Sequence, residues 1–477
     1  MTLTPKPTVI VGGGFVGLFA AMHLCQQKHP HPIVLIDKSE RFVFKPLLYE
    51  LLSGELSEQQ VWPKYEHLLN CEEITFIHDT VTRIDLEQQR VNLASGLSYD
   101  YGHLVLGLGS TIHDFGIQGV KDHAFPFRSG EDAAQLRQHL RHCLQQASQT
   151  PDLDQRQALL TIAIIGAGPA GIEMAATLGD LLPQWAEKFG TLVNDLRVVV
   201  VNRSSEILKG DINNGLRETA KESLRQRLVP IDLLTGAAAQ VQPDRLTYKK
   251  ADHIHELPTH TVIWTTGNKV NPVIRNLDIP PAHQDKAGRL RVLPTLQLPS
   301  HPEVFAAGDC TVLDDPQPAT AQVAYQQGAA IATNLNAIAQ GQPPQIAEVN
   351  LRGTLMKLGL ADGAANLFDR LVITGRSGHL LRQATYLELL PNPVHNFKST
   401  LGWLTDEILQ RHTIPPPVPE PSPHRWVPQW AANTAVSLAV VASGVLMWRA
   451  VVPTNFETTW KPTGIPALID QLQAREE

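Results

Sequence analysis

Two stretches of this chain run through the same order of elements: an apolar strand, a glycine-rich turn, then a helix. The first, TVIVGGGFVGLFAAMHL, starts at Thr8 and carries Gly12, Gly14 and Gly17; the second, ALLTIAIIGAGPAGIEMAATLGDLL, starts at Ala158 and carries Gly166, Gly168 and Gly171. Glycines at this spacing allow a tight turn, close approach of the backbone to a pyrophosphate and close packing of helix on strand, while the helix N-terminus turns its positive end to the phosphates. A single such motif is weak. Two of them, each between a strand and a helix, predict an α/β chain with two Rossmann-like dinucleotide-binding domains.

The ends of the next strands refine the reading. Asp37 closes PIVLID, 20 residues after Gly17, where a carboxylate takes ribose hydroxyls. In the second unit the following strand, LRVVVVN, ends at Asn202, 31 residues after Gly171, and the segment LLPQWAEKFGTLVNDL reads as a lengthened helix that absorbs the excess. Asn202 removes the carboxylate that would repel a 2′-phosphate, Arg203 offers a planar guanidinium to it, and Ser204 adds a hydroxyl, so the second unit is expected to favour NADPH, with NADH admitted. Glu206 opposes that preference. A third signal, EVFAAGDC, sets Gly308 and Asp309 at the end of a short strand, ahead of a helical stretch from Ala319 to Leu335.

Bulk properties set the limits. With 477 residues the chain is expected to form two or more domains, and a formal charge of −7 gives no electrostatic footprint for nucleic acid. Cys25, Cys71, Cys143 and Cys310 form no CxxC or zinc-type spacing, so they read as reduced core residues and no metal is expected. A strand begins within a few residues of the N-terminus, leaving no room for a cleaved signal peptide and predicting a cytoplasmic catalytic body. Near the other end, TIPPPVPEPSP is a Pro-rich linker, and residues 426–448 run for 23 positions without Asp, Glu, Lys, Arg or His. That length suits a single-pass membrane helix, although Pro428, Gln429, Asn433 and Ser443 dilute it. Val394, Phe397, Leu401, Leu404 and Ile408 give an amphipathic helix whose apolar face suits either a lipid surface or the core.

Taken together, the two glycine motifs and the late Gly-Asp pair resemble the two-dinucleotide-binding-domain flavoproteins over roughly residues 8–410. The stretches DKSERFVFKPLLYELLSGEL and PATAQVAYQQG are similar to one subfamily of these, the type II NAD(P)H:quinone oxidoreductases. The resemblance implies FAD on the first cradle, held also by Gly308 and Asp309, and a nicotinamide coenzyme on the second. It also implies a membrane quinone as electron acceptor, with Gln322 and Gln326 lining its site, Lys357 balancing charge and Glu173 facing the nicotinamide and flavin. Glu173 also reads as a first-turn carboxylate favoured by the helix dipole, and the two glutamines as ordinary helix-surface residues. The NRSS strand end, the linker and the C-terminal apolar run are further similar to the branch that reduces a naphthoquinone, demethylphylloquinone, in phylloquinone synthesis.

The expected layout is a FAD-binding domain in two parts, 1–157 and 276–345, around an NAD(P)H-binding domain, 158–275. A C-terminal region with the amphipathic helix (346–412), the linker (413–425), the candidate membrane helix (426–448) and a tail (449–477) follow. Partners are a membrane quinone and the lipid bilayer, and a homodimer is among the states left open. Rival readings are a respiratory plastoquinone or ubiquinone reductase, a sulfide:quinone oxidoreductase, which needs cysteines beside the flavin, and a flavin-bearing sensor without turnover.

Overall fold

A computed structural model of the protein describes residues 5–389, apart from 192, 211, 352 and 368–370. The linker, the amphipathic segment and the 426–448 run therefore lie outside the described residues. Among those described, no helix is long and apolar enough to cross a membrane.

The first sheet has six strands in the order Gln297–Leu298, His301–Ala306, His103–Leu106, Thr8–Val11, Ile33–Asp37, Ile74–His78. Its central strands are buried on both faces, which explains why TVIV and IVLI read as unbroken apolar runs. The strand His301–Ala306 pairs in parallel with His103–Leu106, Val304 opposite Leu104. The chain thus returns to its first sheet after building the second, and brings Gly308 and Asp309 with it.

The second sheet is all parallel, in the order Ile231–Thr235, Arg197–Asn202, Thr161–Ile165, Thr261–Trp264, Ala124–Pro126. Alternate residues serve opposite faces, as the pleat requires. Ile162, Ile164, Val198, Val200 and Ile263 pack under the helix Pro169–Phe189. Ala163, Ile165, Val199, Val201 and Trp264 pack on the other side with Val241, Leu246 and Leu257. Those last three come from an antiparallel crossover of three strands, Ala237–Val241, Arg245–Lys250 and His253–Pro258.

Two expectations need correction. The boundary at residue 157 is too late, because Ala124–Pro126 already joins the second sheet, with Ala124 opposite Val262. Nor are all four cysteines reduced: Cys143 and Cys310 are free and buried, but Cys25 and Cys71 form a disulfide. The parallel pairing of Ile33–Asp37 with Ile74–His78 carries the turn at Cys71 next to the end of the helix Phe15–Gln26, a juxtaposition that 46 residues of separation conceal.

Beyond that return to the first sheet, strands Gly353–Lys357, Gly363–Leu367 and Leu371–Thr374 form an antiparallel sheet backed by the helix Gly375–Glu388. An ion network ties this layer to the second domain. Arg227 pairs with Asp180 at 2.6 Å and with Asp362, and Asp180 also accepts a bond from the Leu360 amide at 2.9 Å.

Candidate active site

The two glycine cradles are built to one plan. In the first, the Gly12 amide bonds to Ile36 O at 2.8 Å; in the second, the Gly166 amide bonds to Val201 O at 2.9 Å. Both glycines have positive φ, +97° and +107°. A Cβ on Gly17 would lie 1.9 Å from Gly12 O, and one on Gly171 would lie 1.9 Å from Gly166 O, so a side chain at either third glycine would force helix and strand apart. By contrast, a Cβ on Gly168 would meet nothing within 4 Å and one on Gly14 only Gly107 O at 4.0 Å. That open space at the helix N-terminus is where a pyrophosphate fits.

Register decides the strand ends. Val11 pairs with Ile36 and Ile165 with Val201, so Asp37 and Asn202 each stand one residue beyond the same point. The long interval before Asn202 is taken up by the 21-residue helix Pro169–Phe189 and leaves the strand end where the first cradle has its acid. Asp37 accepts from the amides of Gly13 at 2.6 Å and Ser39 at 2.8 Å. Burial raises its carboxyl above the usual range, and those two amides work against the rise.

Asn202 uses its side chain differently. Its Nδ2 donates to Ser204 O at 2.8 Å, and its Oδ1 accepts a long bond, 3.4 Å, from the Ala167 amide. The loop so folded exposes Arg203, whose guanidinium lies over the Phe115 ring at 5.7 Å, while Ser204 Oγ accepts from the Glu206 amide. Glu206 is paired with Arg217 at 2.7 Å, which offsets its charge beside the loop.

Asp309 lies in a short turn after His301–Ala306, where its Oδ2 accepts from Ser110 Oγ at 2.9 Å. Arg128 donates to the same Ser110 hydroxyl at 2.8 Å. The Gly308 amide donates to Gln327 Oε1 at 2.8 Å, a buried side chain next to the Gln326 that the sequence singles out. Tyr65, also buried, donates to Gly13 O at 2.7 Å and props the first cradle from beneath. Neither Gln327 nor Tyr65 stands out in the sequence, since each acts on a backbone group far away in the chain. An acid at the strand end, open space above the helix N-terminus and a second acid returning from the late strand together fit FAD.

Gln322 and Gln326 share one face of the helix Ala321–Ala339, as their spacing predicts. Both amides are engaged with one residue: each donates to Asn350 O, at 3.3 and 3.2 Å, and Gln326 Oε1 accepts from the Asn350 amide at 2.9 Å.

Glu173 and Lys357 are brought together, although 184 residues separate them. Glu173 is the fifth residue of the helix Pro169–Phe189, one turn further in than the first-turn position expected from the sequence, and it accepts from the Lys357 backbone amide at 2.8 Å. Burial raises its carboxyl, opposed first by Arg382 and then by that amide. The Lys357 side chain is fully buried, and its ammonium bonds to Glu50 at 3.1 Å and Glu55 at 2.8 Å. Arg382 pairs with Glu50 as well.

Burial alone would raise the Glu50 carboxyl, but Arg382 and Lys357 outweigh it and lower it to about 2. His379, on the same helix as Arg382, is held neutral by burial and by Lys357, its pKa lowered to about 3. Glu50 and Arg382 escape sequence reasoning because Glu50 sits in the apolar run PLLYELL and Arg382 in a segment with no motif. A carboxylate within such a run is the one available signal, since an acid buried there needs cationic partners.

Cys310 is buried directly after Asp309, its thiol pushed up to about 12 by burial, and the other free cysteine, Cys143, bonds to His139 and Thr261 at the edge of the second sheet. Neither makes a reactive thiol pair beside Asp309, so the sulfide-oxidising reading finds no support.

Two register-matched dinucleotide cradles and a late acidic turn define a class, the flavoproteins that receive electrons from a nicotinamide coenzyme. The family profile described as pyridine nucleotide-disulphide oxidoreductase matches residues 6–328. Demethylphylloquinone reductase NdbB of Synechocystis sp. is 33% identical over 83% of this chain and 95% of its own length. An alternative NAD(P)H-ubiquinone oxidoreductase C1 of Arabidopsis thaliana is 30% identical over 83% of this chain and 80% of its own. The solved structure of NDH2 from Plasmodium falciparum in complex with NADH superposes with a TM-score of 0.75 at 18% identity, covering 84% of this chain and 98% of that one. The chain belongs to the pyridine nucleotide-disulphide oxidoreductase family. Within it, the protein is a type II NAD(P)H:quinone oxidoreductase that works with FAD and NAD(P)H.

Proposed function

We propose that the protein favours NADPH and delivers its electrons to a naphthoquinone of the demethylphylloquinone type held in a membrane. The carrying observation is the register-matched Asn202. At the position where the first cradle presents the Asp37 carboxylate, the second presents a neutral amide followed by the exposed Arg203. Replacing the acid removes repulsion of a 2′-phosphate, and the guanidinium adds a charge-assisted bond of about 1.5–3 kcal/mol, or about 10- to 100-fold in affinity. The identity to a demethylphylloquinone reductase supports the quinone class.

In this reading Gly12, Gly14, Gly17, Asp37, Gly308 and Asp309 hold FAD, which when bound supplies the two-electron chemistry between coenzyme and quinone. Gly166, Gly168, Gly171, Asn202, Arg203 and Ser204 hold the coenzyme, and the half-buried Glu173 orients its nicotinamide end. Gln322 and Gln326 exchange their bonds to Asn350 for a quinone oxygen, and Lys357 supplies positive charge as the quinone is reduced. The catalytic body works on the cytoplasmic face, attached to lipid through the region beyond residue 390.

The test uses the purified holoprotein. Its kcat/KM for NADPH and NADH is compared in the wild type and in an Asn202→Glu, Arg203→Ala double variant, with naphthoquinones and benzoquinones as acceptors. The wild type should prefer NADPH and naphthoquinones, and the double variant should reverse the coenzyme ratio by about 10- to 100-fold. An unchanged ratio removes the coenzyme argument, and a preference for benzoquinones removes the acceptor.

A further inference from the structure

The helix Leu48–Ser53 ends at Gly54 in the left-handed region, φ +86°, and this turn sends Glu50 and Glu55 to the same ammonium from two sides. Glu50 approaches from the interior, with a side chain 0% exposed, and Glu55 from the surface, 10% exposed. Hydrogen bonds run without a break from the surface inward: Ser53 Oγ donates to Glu55 Oε2, Lys357 Nζ donates to Glu55 Oε2 and to Glu50 Oε1, and Arg382 donates to that same Glu50 oxygen. Around it, Glu50 Oε2, Arg382 Nε, His379 Nδ1 and Gln383 Oε1 are buried without a hydrogen-bond partner among the described residues. Leaving such a group unsatisfied costs about 1–3 kcal/mol, so four of them about one carboxylate mark a place that water or polar ligand atoms complete.

Quinone reduction needs such a place. The overall reaction, NAD(P)H + H⁺ + quinone → NAD(P)⁺ + quinol, draws one proton from solvent. We propose that Glu55 admits this proton, that Lys357 carries it to the reduced acceptor, and that Glu50 is the positioning residue that holds Lys357 as an oriented cation. The inference rests on the quinone-site reading of Lys357. An N–H bond of the ammonium breaks as the quinol O–H bond forms, Nζ takes a proton from the Glu55 carboxyl, and the carboxylate recovers one from water at its exposed edge. No electrons move in the relay.

The charges around it agree. Burial raises the Glu55 carboxyl, with Lys357 opposing and Glu50 reinforcing. Burial would lower the Lys357 ammonium, but Glu50 and Glu55 raise it. The groups facing the relay are Tyr49 from its own helix, Glu173 from Pro169–Phe189, Arg376, His379, Arg382 and Tyr386 from Gly375–Glu388, and Arg137 from Gly130–Gln149, which donates to Leu51 O. Lys357 and Glu50 are the charged groups that act most strongly on Glu55.

Stopped-flow separates the two half-reactions of the holoprotein: bleaching of its flavin by NADPH, and recolouring by menadione, each followed from mildly acidic to alkaline pH. Wild-type recolouring should slow as pH rises through the ionisation of Glu55. Glu55→Gln should lose that dependence and recolour about 10- to 100-fold more slowly, with bleaching unchanged, and Glu55→Asp should restore part of the rate. Glu50→Gln should move the recolouring profile to lower pH, because the Glu55 carboxyl loses the neighbouring negative charge that raises it. In the infrared difference spectrum between reduced and oxidised protein, a carboxylic acid band present in the wild type should be missing from Glu55→Gln. A Glu55→Gln protein with the wild-type profile, or one slowed equally in both half-reactions, overturns the relay alone. A wild-type protein that bleaches but is not recoloured by menadione overturns the quinone-site reading and the relay with it.

Discussion

The two cradles of this protein differ far less in backbone than in the residue that closes the strand beside them. Their third glycines meet the same obstacle at the same distance, their first amides bond to the same position of the neighbouring strand, and both strand ends fall in one register. Yet the first ends in Asp37, whose carboxylate accepts two amides, and the second in Asn202, whose amide folds its own loop and leaves Arg203 exposed. In the proposed reading this is a division of labour: backbone geometry makes each cradle fit a pyrophosphate, and the strand-end residue chooses the ribose.

The largest effect should come from filling a cradle. Gly17→Val drives a side chain into Gly12 O and should yield a colourless protein, whereas Gly171→Val, with the same clash at Gly166 O, should keep its flavin and lose its response to NADPH. Absorbance spectra before and after NADPH addition read both outcomes, and a pair of variants that lost both properties together would break the independence of the cradles. Next in size is Asp37→Ala, which removes two amide bonds to a carboxylate; each is worth about 1.5–3 kcal/mol, so FAD should be released at least about tenfold more readily on dilution.

The matching Asn202→Ala change removes only neutral bonds, worth about 0.5–1.5 kcal/mol each, and should raise the KM for NADPH by a factor of about 2–10 with flavin content unaltered. Smallest of all, Gln327→Ala loosens the Gly308 turn and should weaken FAD by a few-fold, an effect without counterpart in the second cradle. Equal responses of flavin and coenzyme to Gln327→Ala would show that the late turn serves both sites.

The cradles could be read from sequence because each is local: glycines, strand and helix lie within about thirty residues, and their pattern carries its own geometry. Asn202 was legible too, once its strand was recognised, since a parallel register fixes where the strand ends. What lay hidden depends on distant parts of the chain meeting. Cys25 finds Cys71 through sheet pairing, Ala124–Pro126 is too short to declare which sheet it joins, and Gln327 acts on an amide 19 residues away. The ion network is the extreme case. Lys357 and Glu50 are 307 residues apart, and a lysine drawn from the sequence alone gives no sign that its partners are buried carboxylates.

The central claim, that the second cradle has exchanged a ribose-binding acid for a phosphate-binding base, is tested most directly by calorimetry on the holoprotein with the adenosine halves of the two coenzymes. 2′,5′-ADP should bind about 10- to 100-fold more tightly than ADP, and that advantage should vanish in Arg203→Ala. Equal binding of the two, or tighter binding of ADP, would contradict the account.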